Sequence, residues 1–490
     1  MSEMVLEQSV PNGWIKTNLE MISDITAGNS APQGEEFFKN GEYPFVRVAD
    51  MGKTNTVYLN KTKDHVNELG AKKLKMFSKG SVLFTKSGAS THLNQKSILG
   101  MDSYVVSHIG IINPIGKISS EFIYYFLKTI DFKILTHESI MPSLQLSKIK
   151  TLDIPIPPLN EQTRIVEKIE ELFSKLDHTK NILEIVKLQL LEYKESFLKS
   201  LFEGKLTEKW RNENKTNLKS LLEKIKLGRK NQDKKLQDIE FNTINGFFMI
   251  PPEWVWIKVG IISENIQYGT SEKATTTKSK IPVLRMGNIQ DGELNFDNLK
   301  YYPENWKNLK QFLLHAGDVL FNRTNSAELV GKTAVYKESH PVTVFAGYLV
   351  RVKIIDETYN PLLLSWYINS IFGKSYIKTV VTQQVGQANV NATKLAIMPI
   401  PLMSFEEQYE IHSQLEMAFS LIKNTESIVN SMLLQIDTLR STILKQAFEG
   451  KLVPQDPNDE PSEILLQKIK QEKEQLIQKQ KTSRSIKNVK

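Results

Sequence analysis

One long sequence pattern occurs twice in this chain, and this repetition constrains the fold more than any other feature. The pair Glu161-Gln162 opens a run of regularly spaced apolar residues that ends in Phe-Glu-Gly-Lys-Leu at residues 202–206. The same pattern opens at Glu407-Gln408 and ends in Phe-Glu-Gly-Lys-Leu at residues 448–452, so both of its ends are offset by 246 positions. A repeat without an internal gap predicts two segments of equal length and a chain built from two similar halves.

The apolar residues in both segments recur in alternating steps of four and three. A heptad pattern sustained over several repeats predicts a long helix that pairs with another helix in a coiled coil. The predicted helices span residues 159–206 and 404–452, and at about 1.5 Å per residue each is on the order of 60 Å long. The positions predicted to mediate helix pairing are Ile169, Leu176, Thr179, Leu183, Leu415, Ile422, Thr425 and Val429.

An alternative is that each helix buries its apolar stripe against its own domain. The equivalent heptad positions of Thr179 and Thr425, which are the polar members of the two stripes, disfavour this alternative. Both threonines lie near the middle of their helices, where antiparallel pairing would let them help to set the register. A role as tolerated core residues is slightly favoured over this one. The antiparallel direction does not follow from the heptads. It is expected because two similar domains would then be carried on one rigid bar.

The segments that precede the two helices diverge from each other but share short motifs in the same order. Residues 1–158 and 250–403 are therefore predicted to form two mixed α/β domains, related by an internal pseudo-twofold repeat and separated by the antiparallel coiled coil. We expect strands at residues 45–48, 81–85, 283–286 and 318–322 and helices at 121–128 and 361–369. Residues 207–249 are predicted to be a basic linker with a short helix, and residues 453–490 a short helix with a basic tail.

Composition narrows the class of protein. A chain of 490 residues is expected to contain about two to four domains. The lack of cysteine removes disulfides and thiolate chemistry and is typical of a reducing compartment. With no long apolar run and no signal-peptide pattern, we expect a cytoplasmic protein. The net charge of +8 is a weak indication of an anionic partner.

Polar residues follow the predicted strands at matching places in the two domains. Arginine and lysine bind phosphates or guanine, asparagine reads adenine, and serine serves either purpose. Any one of these positions alone is better explained as a solvated loop, but the paired occurrence favours binding to DNA. The residues predicted to contact DNA, without assignment to base or phosphate, are Arg47, Lys86, Ser87, Arg285, Asn288, Asn322 and Arg323.

Motifs for catalysis are missing from the sequence. The segment Gly331-Lys332-Thr333 looks like the end of a phosphate-binding loop, but the glycine that should precede it is Ser326. Neither a methyltransferase motif nor a hydrolase motif occurs, and the eight histidines lack ligand spacing, so we expect no catalytic residues and no metal site. Asp50 and Asp318 are expected to serve in turns or caps rather than as nuclease ligands.

Several motifs resemble the specificity (S) subunit of type I restriction-modification enzymes. The most specific are the proline-rich lead into each long helix, at residues 155–162 and 399–408, and the two closing Phe-Glu-Gly-Lys-Leu segments. Pro-x-x-Trp at residues 11–14 and 251–254 and Gly-Asp-Val-Leu-Phe at residues 317–321 are also typical, although the first half departs from the latter at Ser81. The resemblance covers almost the whole chain.

This resemblance implies two target-recognition domains, each of which reads one half of a split sequence in double-stranded DNA. It further implies methyltransferase (M) subunits, two of them, that bring S-adenosylmethionine, and restriction (R) subunits that use ATP and magnesium. Adenine-N6 methylation and DNA cleavage would then be the work of these partners, and the chain itself would be non-catalytic. One alternative is a protein-protein scaffold with incidental basic charge. Another, a self-contained methyltransferase or nuclease, is disfavoured by the missing motifs.

If the paired helices act as a ruler, their length sets the gap between the two half-sites, whereas the domains set the bases. Half-sites on one face of B-DNA lie about 34 to 36 Å apart per helical turn. Insertion of one heptad into both helices is therefore expected to change the preferred gap and to leave both half-site sequences intact. Binding to a series of DNA duplexes with different gaps measures this. A changed half-site preference at an unchanged gap would contradict the ruler.

Overall fold

The computed structural model of the protein describes residues 10–51, 56–87, 94–135, 143–214, 216–384 and 387–487. The chain divides into two compact units, of which the first comprises residues 1–183 and 431–490 and the second residues 184–430. Each unit therefore contains one predicted α/β domain and part of each long helix. Within the described part of the chain, no helix is both long and apolar enough to cross a membrane.

The two long helices are Leu159–Phe202 and Phe405–Phe448, each of 44 residues. Both end four residues before the predicted bounds of 206 and 452, and two residues after each end lies a glycine in the left-handed region, with φ of 73° at Gly204 and 68° at Gly450. In both helices the Glu-Gln pair lies in the first turn, and its glutamine amide donates to a backbone carbonyl just before the helix. The distances are 3.0 Å from Gln162 Nε2 to Pro157 O and 3.2 Å from Gln408 Nε2 to Met403 O.

The helices pair antiparallel in both units. In the first unit, Ile165 and Ile169 near the start of one helix share an apolar cluster with Leu444 and Phe448 at the end of the other. The second unit has the reverse arrangement, since residues 198–202 cluster with residues 411–415. In each unit, therefore, the start of one long helix packs beside the end of the other.

The positions predicted to mediate pairing differ in burial. Ile169, Leu183, Leu415, Ile422 and Val429 are buried, and Leu176 is half-buried. Thr179 is exposed and Thr425 half-buried, and each hydroxyl donates to a carbonyl of its own helix, at Lys175 and Leu421. The structure thus shows no hydrogen bond from either threonine to the other helix.

The described residues of the α/β domain in the first unit form three sheets. The strands predicted at 45–48 and 81–85 lie within two residues of the observed strands Tyr43–Val46 and Val82–Thr85. The first strand ends earlier than predicted because Val48 already begins a helical turn. A two-stranded sheet joins Ile15–Asn18 to Asp153–Ile156, directly before the first long helix. A five-stranded sheet has the order Ser23–Ala27, Ile109–Pro114, Val82–Thr85, Lys96–Leu99 and Tyr58–Leu59, and a four-stranded sheet the order Asp64–Val66, Tyr43–Val46, Ser103–Val105 and Met76–Phe77.

The second unit repeats this arrangement. A two-stranded sheet of Val255–Lys258 and Pro399–Leu402 precedes the second long helix, as its counterpart does in the first unit. The four-stranded sheet has the order Ser263–Tyr268, Leu349–Ile354, Val319–Asn322 and Thr333–Val335. The smaller sheets are Lys300–Tyr302 with Ile281–Leu284 and Val344–Phe345, Ile289–Gln290 with Glu293–Leu294, and Thr324–Asn325 with Gln387–Asn389 and Thr382–Gln384.

Short helices cover the sheets of both units. The helices predicted at 121–128 and 361–369 are present as Ser120–Lys128, capped by the Ser119 hydroxyl, and Pro361–Asn369, capped by Asn360. In the first unit the others are Leu19–Ile22, Glu35–Phe37, Val48–Met51, Glu68–Ala71, Phe132–Leu135 and Leu146–Lys150. In the second unit they are Val259–Ile262, Met286–Asn288, Leu309–Phe312, Ile371–Val380 and Ala392–Ala396.

Residues 207–249, predicted to be a basic linker with a short helix, contain that helix but also pack against the second unit. They form Glu208–Glu213, Leu218–Gly228, Arg229–Asn231 and Lys234–Gln237, and Leu221 and Ile225 pack into the core of the second unit. The Gln232 amide is buried and donates to the carbonyls of Gly260 and Ser263. The sequence did not predict this packing because the segment is rich in lysine and only a narrow face of it is apolar.

Residues 453–490 also depart from the prediction of a short helix and a tail. One helix, Ser462–Lys487, covers most of the segment. Leu465, Leu466 and Ile469 bury its first turns in the core of the first unit. Residues 488–490 lie outside the described residues. The sequence Leu-Leu-x-Lys-Ile-Lys therefore marks a helix that docks on a domain after each long helix.

A buried carboxylate joins the second α/β domain to its long helix. The side chain of Glu407 is only 1% exposed, and it accepts hydrogen bonds from Trp254 Nε1 at 2.8 Å, from Thr207 Oγ1 at 2.7 Å and from Arg211 Nε at 3.0 Å. These donors come from the entry of the domain and from the segment after the first long helix. Because Arg211 is nearly buried as well, this is a paired and hydrogen-bonded interior charge.

The equivalent carboxylate of the first unit, Glu161, lacks such partners. It is also 1% exposed, but its Oε1 and the neighbouring Trp14 Nε1 are buried without a hydrogen bond. Position 453 holds valine and position 457 proline where the repeat would place the counterparts of Thr207 and Arg211. Burial raises the pKa of the Glu161 carboxyl, and the nearby Trp14 and Arg164 only partly oppose that shift.

The two carboxylates are therefore expected to respond oppositely to replacement by glutamine. Glu407→Gln leaves the buried Arg211 without its counter-charge and should lower the free energy of unfolding by about 3 kcal/mol. Glu161→Gln is the matched control and should be neutral or stabilising at pH 7. Because burial raises the pKa of the Glu161 carboxyl in the folded protein, the wild type loses stability as the pH rises through that pKa. The stability that Glu161→Gln gains at pH 7 should therefore vanish near pH 4. Thermal melting of both variants at pH 7 and pH 4 measures this, and equal losses at pH 7 would contradict it.

Candidate nucleic-acid interface

A cavity of about 770 Å³ in the second unit brings together basic residues from three strand ends. Arg285 directly follows the strand Ile281–Leu284, and Lys300 begins the strand Lys300–Tyr302 that pairs with it. Arg323 stands between the strand Val319–Asn322 and the short strand that follows. Two of the arginines predicted from the sequence to contact DNA thus line one cavity, together with a lysine that was not predicted.

Arg323 is held against an aromatic ring. Its guanidinium lies 4.8 Å from the centre of the Tyr268 ring, and its Nη1 donates to Gly347 O at 3.3 Å. The tyrosine is itself fixed, because its hydroxyl accepts a hydrogen bond from Ala392 N at 2.9 Å. This cation–π contact and the hydrogen bond to Gly347 restrain the guanidinium before a ligand arrives.

Arg285 is held by its backbone and by one side-chain bond. Its N–H donates to Asn288 Oδ1 at 2.9 Å, and its Nη2 donates to Asn298 O at 2.8 Å. Its Nε is buried without a partner among the described residues. The remaining N–H groups give Arg285 unused capacity as a hydrogen-bond donor at the wall of the cavity.

Two predicted contact residues lie inside the second domain instead. Asn288 is 4% exposed, and its amide is used by the backbone at Arg285, Asn295 and Asp297. Asn322 is completely buried in its strand. In this structure neither side chain is exposed to DNA: the turn uses the amide of Asn288, and Asn322 is buried with its Nδ2 directed to Met286 O at 3.5 Å.

The first unit has the same backbone arrangement with a different charge. Arg47 N–H donates to Asp50 Oδ2 at 2.8 Å, as Arg285 N–H does to Asn288. The strand registers place Asp64 of the first unit where the second unit has Lys300. Asp64 forms an ion pair and hydrogen bond with Arg47 Nε. The predicted reader Arg47 is therefore neutralised within its own domain.

Lys86 corresponds to Arg323. The backbone N–H of each donates to a carbonyl on the neighbouring strand, that of His108 for Lys86 and that of Tyr348 for Arg323. Lys86 and Ser87 are half-buried, and Ser87 forms an isolated bridge with Ser143. The structure thus keeps both predicted residues at the surface of the first domain.

Charge distribution makes the cavity of the second unit cationic. The basic residues Lys273, Arg285, Lys300 and Arg323 face a single acid, Glu272. The Glu272 carboxylate is already occupied by hydrogen bonds from Trp306 Nε1 at 2.7 Å and Asn308 Nδ2 at 2.6 Å. The cavity is therefore suited to hydrogen-bond acceptors, such as phosphate oxygens or the O6 and N7 of guanine.

A second cavity, of about 800 Å³, lies in the first unit between its α/β domain and the long helices. Lys96 is 4% exposed there, donates to Asn94 Oδ1 and Ile130 O, and has its pKa lowered to about 7 by burial and by Lys128. The lining cations Lys96, Lys128 and Arg440 are matched by the acids Glu170, Asp177 and Asp437. This balance makes the second cavity a poorer site for an anion.

The isolated acids singled out in the sequence serve in turns. Asp50 accepts from the backbone at Arg47 and Lys63, and Asp318 accepts from His315 N at 2.9 Å. The turn and cap role predicted for both is confirmed. In the described parts of the chain, no three histidine, aspartate or glutamate side chains form a group that could hold a metal ion.

Sequence reasoning missed Tyr268, Lys300 and Gly347, three residues that shape the cationic cavity. Lys300 carried a weak signal, because it precedes the aromatic pair Tyr301-Tyr302 and basic residues interleaved with aromatic ones are common in nucleic-acid sites. Tyr268 carried none, because nothing in the chain shows that its strand end lies beneath Arg323.

Comparison with known proteins agrees with this architecture. The family model described as "Type I restriction modification DNA specificity domain" matches residues 11–188 and 251–431, once in each half of the chain. The specificity subunit of the type I restriction enzyme EcoKI from Escherichia coli K12 is 24% identical over 95% of this chain and 96% of its own length. The StySPI specificity subunit of Salmonella potsdam is 23% identical with the same coverage.

Solved structures show the same fold. The HsdS subunit from Thermoanaerobacter tengcongensis matches 91% of this chain and 99% of its own with a TM-score of 0.55 at 16% identity. A chain from a structure concerned with complex assembly and conformational transition of the type I R-M system matches 91% of this chain with a TM-score of 0.62, also at 16% identity.

The chain has two α/β domains, each packed with parts of the paired antiparallel helices, and the second domain contains a cationic cavity. These features define a two-domain recognition protein. The chain belongs to the type I restriction modification DNA specificity family. It is a specificity subunit with two DNA-recognition domains, and no comparison supports the alternative of a protein-protein scaffold.

Replacement of the two cavity arginines should reveal which part of DNA each one binds. For a base reader, Arg285→Ala or Arg323→Ala is expected to cost about 1 to 3 kcal/mol of binding and to relax specificity at one position. A phosphate contact would weaken binding to all sequences and flatten the salt dependence. Binding to a panel of mismatched duplexes at two salt concentrations separates these classes.

Asn288→Ala provides the control for this experiment. It should lower stability by about 1 kcal/mol or more through loss of its buried hydrogen bonds, without a base-specific effect. A base-specific loss in this variant, or no change in the two arginine variants, would contradict the placement described above.

Proposed function

We propose that the chain is the non-catalytic DNA-reading subunit of a type I restriction-modification complex. Each domain contacts one half of a bipartite duplex target, and partner subunits carry out the chemistry. The observation that carries this proposal is the cationic cavity of the second domain, in which Arg285, Lys300 and Arg323 converge without a free acid to neutralise them. The duplicated domain supplies a second reader with a different surface.

Partner subunits are expected to dock on the long helices. Apolar side chains remain exposed there after the helices have paired, which is unusual for a solvent-facing helix surface. In the second unit they include Ile185, Leu188, Met417 and Leu421, with exposed fractions of 53% to 65%. We assign this surface to methyltransferase (M) subunits, two per chain, in keeping with the internal repeat.

The cofactors belong to these partners in this proposal. S-adenosylmethionine would be bound by the methyltransferase subunits, and ATP and magnesium would be used by restriction (R) subunits. The complex would methylate adenine N6 or cleave DNA in the cytoplasm. The contribution of this chain is to bind the target and to orient the partners on it.

Mapping of methylated adenines in the native host, with and without this gene, tests the proposal. A bipartite methylation motif should be present in the wild type and vanish on deletion. Purified chain should bind DNA in a sequence-selective, salt-dependent manner together with its methyltransferase partner. An unchanged methylation map, or methyl transfer by the purified chain alone with S-adenosylmethionine, would overturn it.

A further inference from the structure

We propose that the second domain reads a guanine through Arg323, that Tyr268 is the positioning residue for this contact, and that the positions of the first domain equivalent to Tyr268 and Arg323 do not form such a reader. This inference rests on the proposed function and specifies the base class at one of the two half-sites. It is carried by the contacts of Arg323 and by a charge difference between equivalent positions of the two domains.

The guanidinium of Arg323 has donors to spare. Among the described residues its side chain makes one hydrogen bond, from Nη1 to Gly347 O, and its Nε is buried without a partner. The cation–π contact with the Tyr268 ring and the hydrogen bond to the Gly347 carbonyl hold the guanidinium in position. A planar donor of fixed orientation in a concave site matches the paired acceptors O6 and N7 of guanine.

A phosphate could be bound without the ring and the hydrogen bonds that hold Arg323 in this site. Phosphates are bound by point charges as well as by forks, and the exposed Lys273 at the rim of the cavity can supply such a charge. The hydrogen bond that the Tyr268 hydroxyl accepts from Ala392 N fixes the position of an aromatic ring and brings no charge to the cavity. These features favour a base edge over the DNA backbone as the ligand of Arg323.

The first domain differs at each of the corresponding positions. The strand registers place Ala27 at the position of Tyr268, and Lys86 occupies that of Arg323. Asp64 stands in place of Lys300 and neutralises Arg47. At the positions equivalent to Tyr268 and Arg323, the first domain therefore has neither an aromatic ring nor a guanidinium, and its Arg47 is paired with Asp64.

The test uses the complex with methyltransferase subunits and DNA in which single guanines are replaced by 7-deazaguanine, which lacks the N7 acceptor. At one position of one half-site, this replacement should weaken binding of the wild type about ten-fold, in line with the value of a bidentate base contact. Arg323→Ala should bind more weakly and should show no further loss with the modified base at that position.

Three further variants separate positioning from charge. Arg323→Lys should keep overall binding within a few-fold but lose discrimination, since lysine lacks the fork. Tyr268→Leu should lose most of the discrimination, whereas Tyr268→Phe, which keeps the ring, should restore most of it. Lys86→Ala in the first domain is the matched control and should weaken all sequences alike.

The outcomes are distinguishable. If wild-type complex shows no sequence-selective binding at all, the proposed function fails. If binding is selective but Arg323→Ala still loses affinity with every modified guanine as the wild type does, only the guanine assignment is overturned. A uniform loss in Arg323→Ala with a smaller salt dependence would identify a phosphate contact and overturn it too. Equal discrimination by wild type and Tyr268→Leu would remove Tyr268 as the positioning residue.

Discussion

The antiparallel apolar contact between the two long helices is the interaction on which the rest of the structure depends. Each unit is built from chain segments far apart in sequence, and the helices bring them together by packing the start of one beside the end of the other. Burial of apolar surface drives this pairing without directional demands. The Glu-Gln start and the glycine end then give each helix defined limits.

Polar contacts at the helix ends add what the apolar contact cannot. In the second unit, Glu407 accepts hydrogen bonds from two separate segments, the domain entry and the docked segment 207–249, and so joins both to its own helix. In the first unit Glu161 holds the same place with fewer partners and a raised pKa. The two halves therefore share a framework but differ in the electrostatics of their junctions.

The recognition domains show a similar relation between a shared backbone and different chemistry. A side-chain cap after the same strand fixes the turn in both, through Asp50 in one and Asn288 in the other. At another pair of equivalent positions, Asp64 of the first domain neutralises Arg47, whereas Lys300 of the second domain adds to the positive charge of the cavity. One exchange of charge on a common scaffold changes which ligand the surface can accept, so two domains of one fold can read different targets.

The sequence by itself determined the duplicated helices, their ends, the two α/β domains and the family resemblance, because heptad spacing, proline, glycine and strand motifs act locally. Arg285 and Arg323 were also found, since polar residues after strands are visible in the chain. Only the tertiary structure decided that Asn288 and Asn322 are buried, that residues 207–249 dock on a domain, and that Tyr268 lies under Arg323. Those facts depend on contacts between residues distant in sequence, and no local pattern records which strand ends will meet.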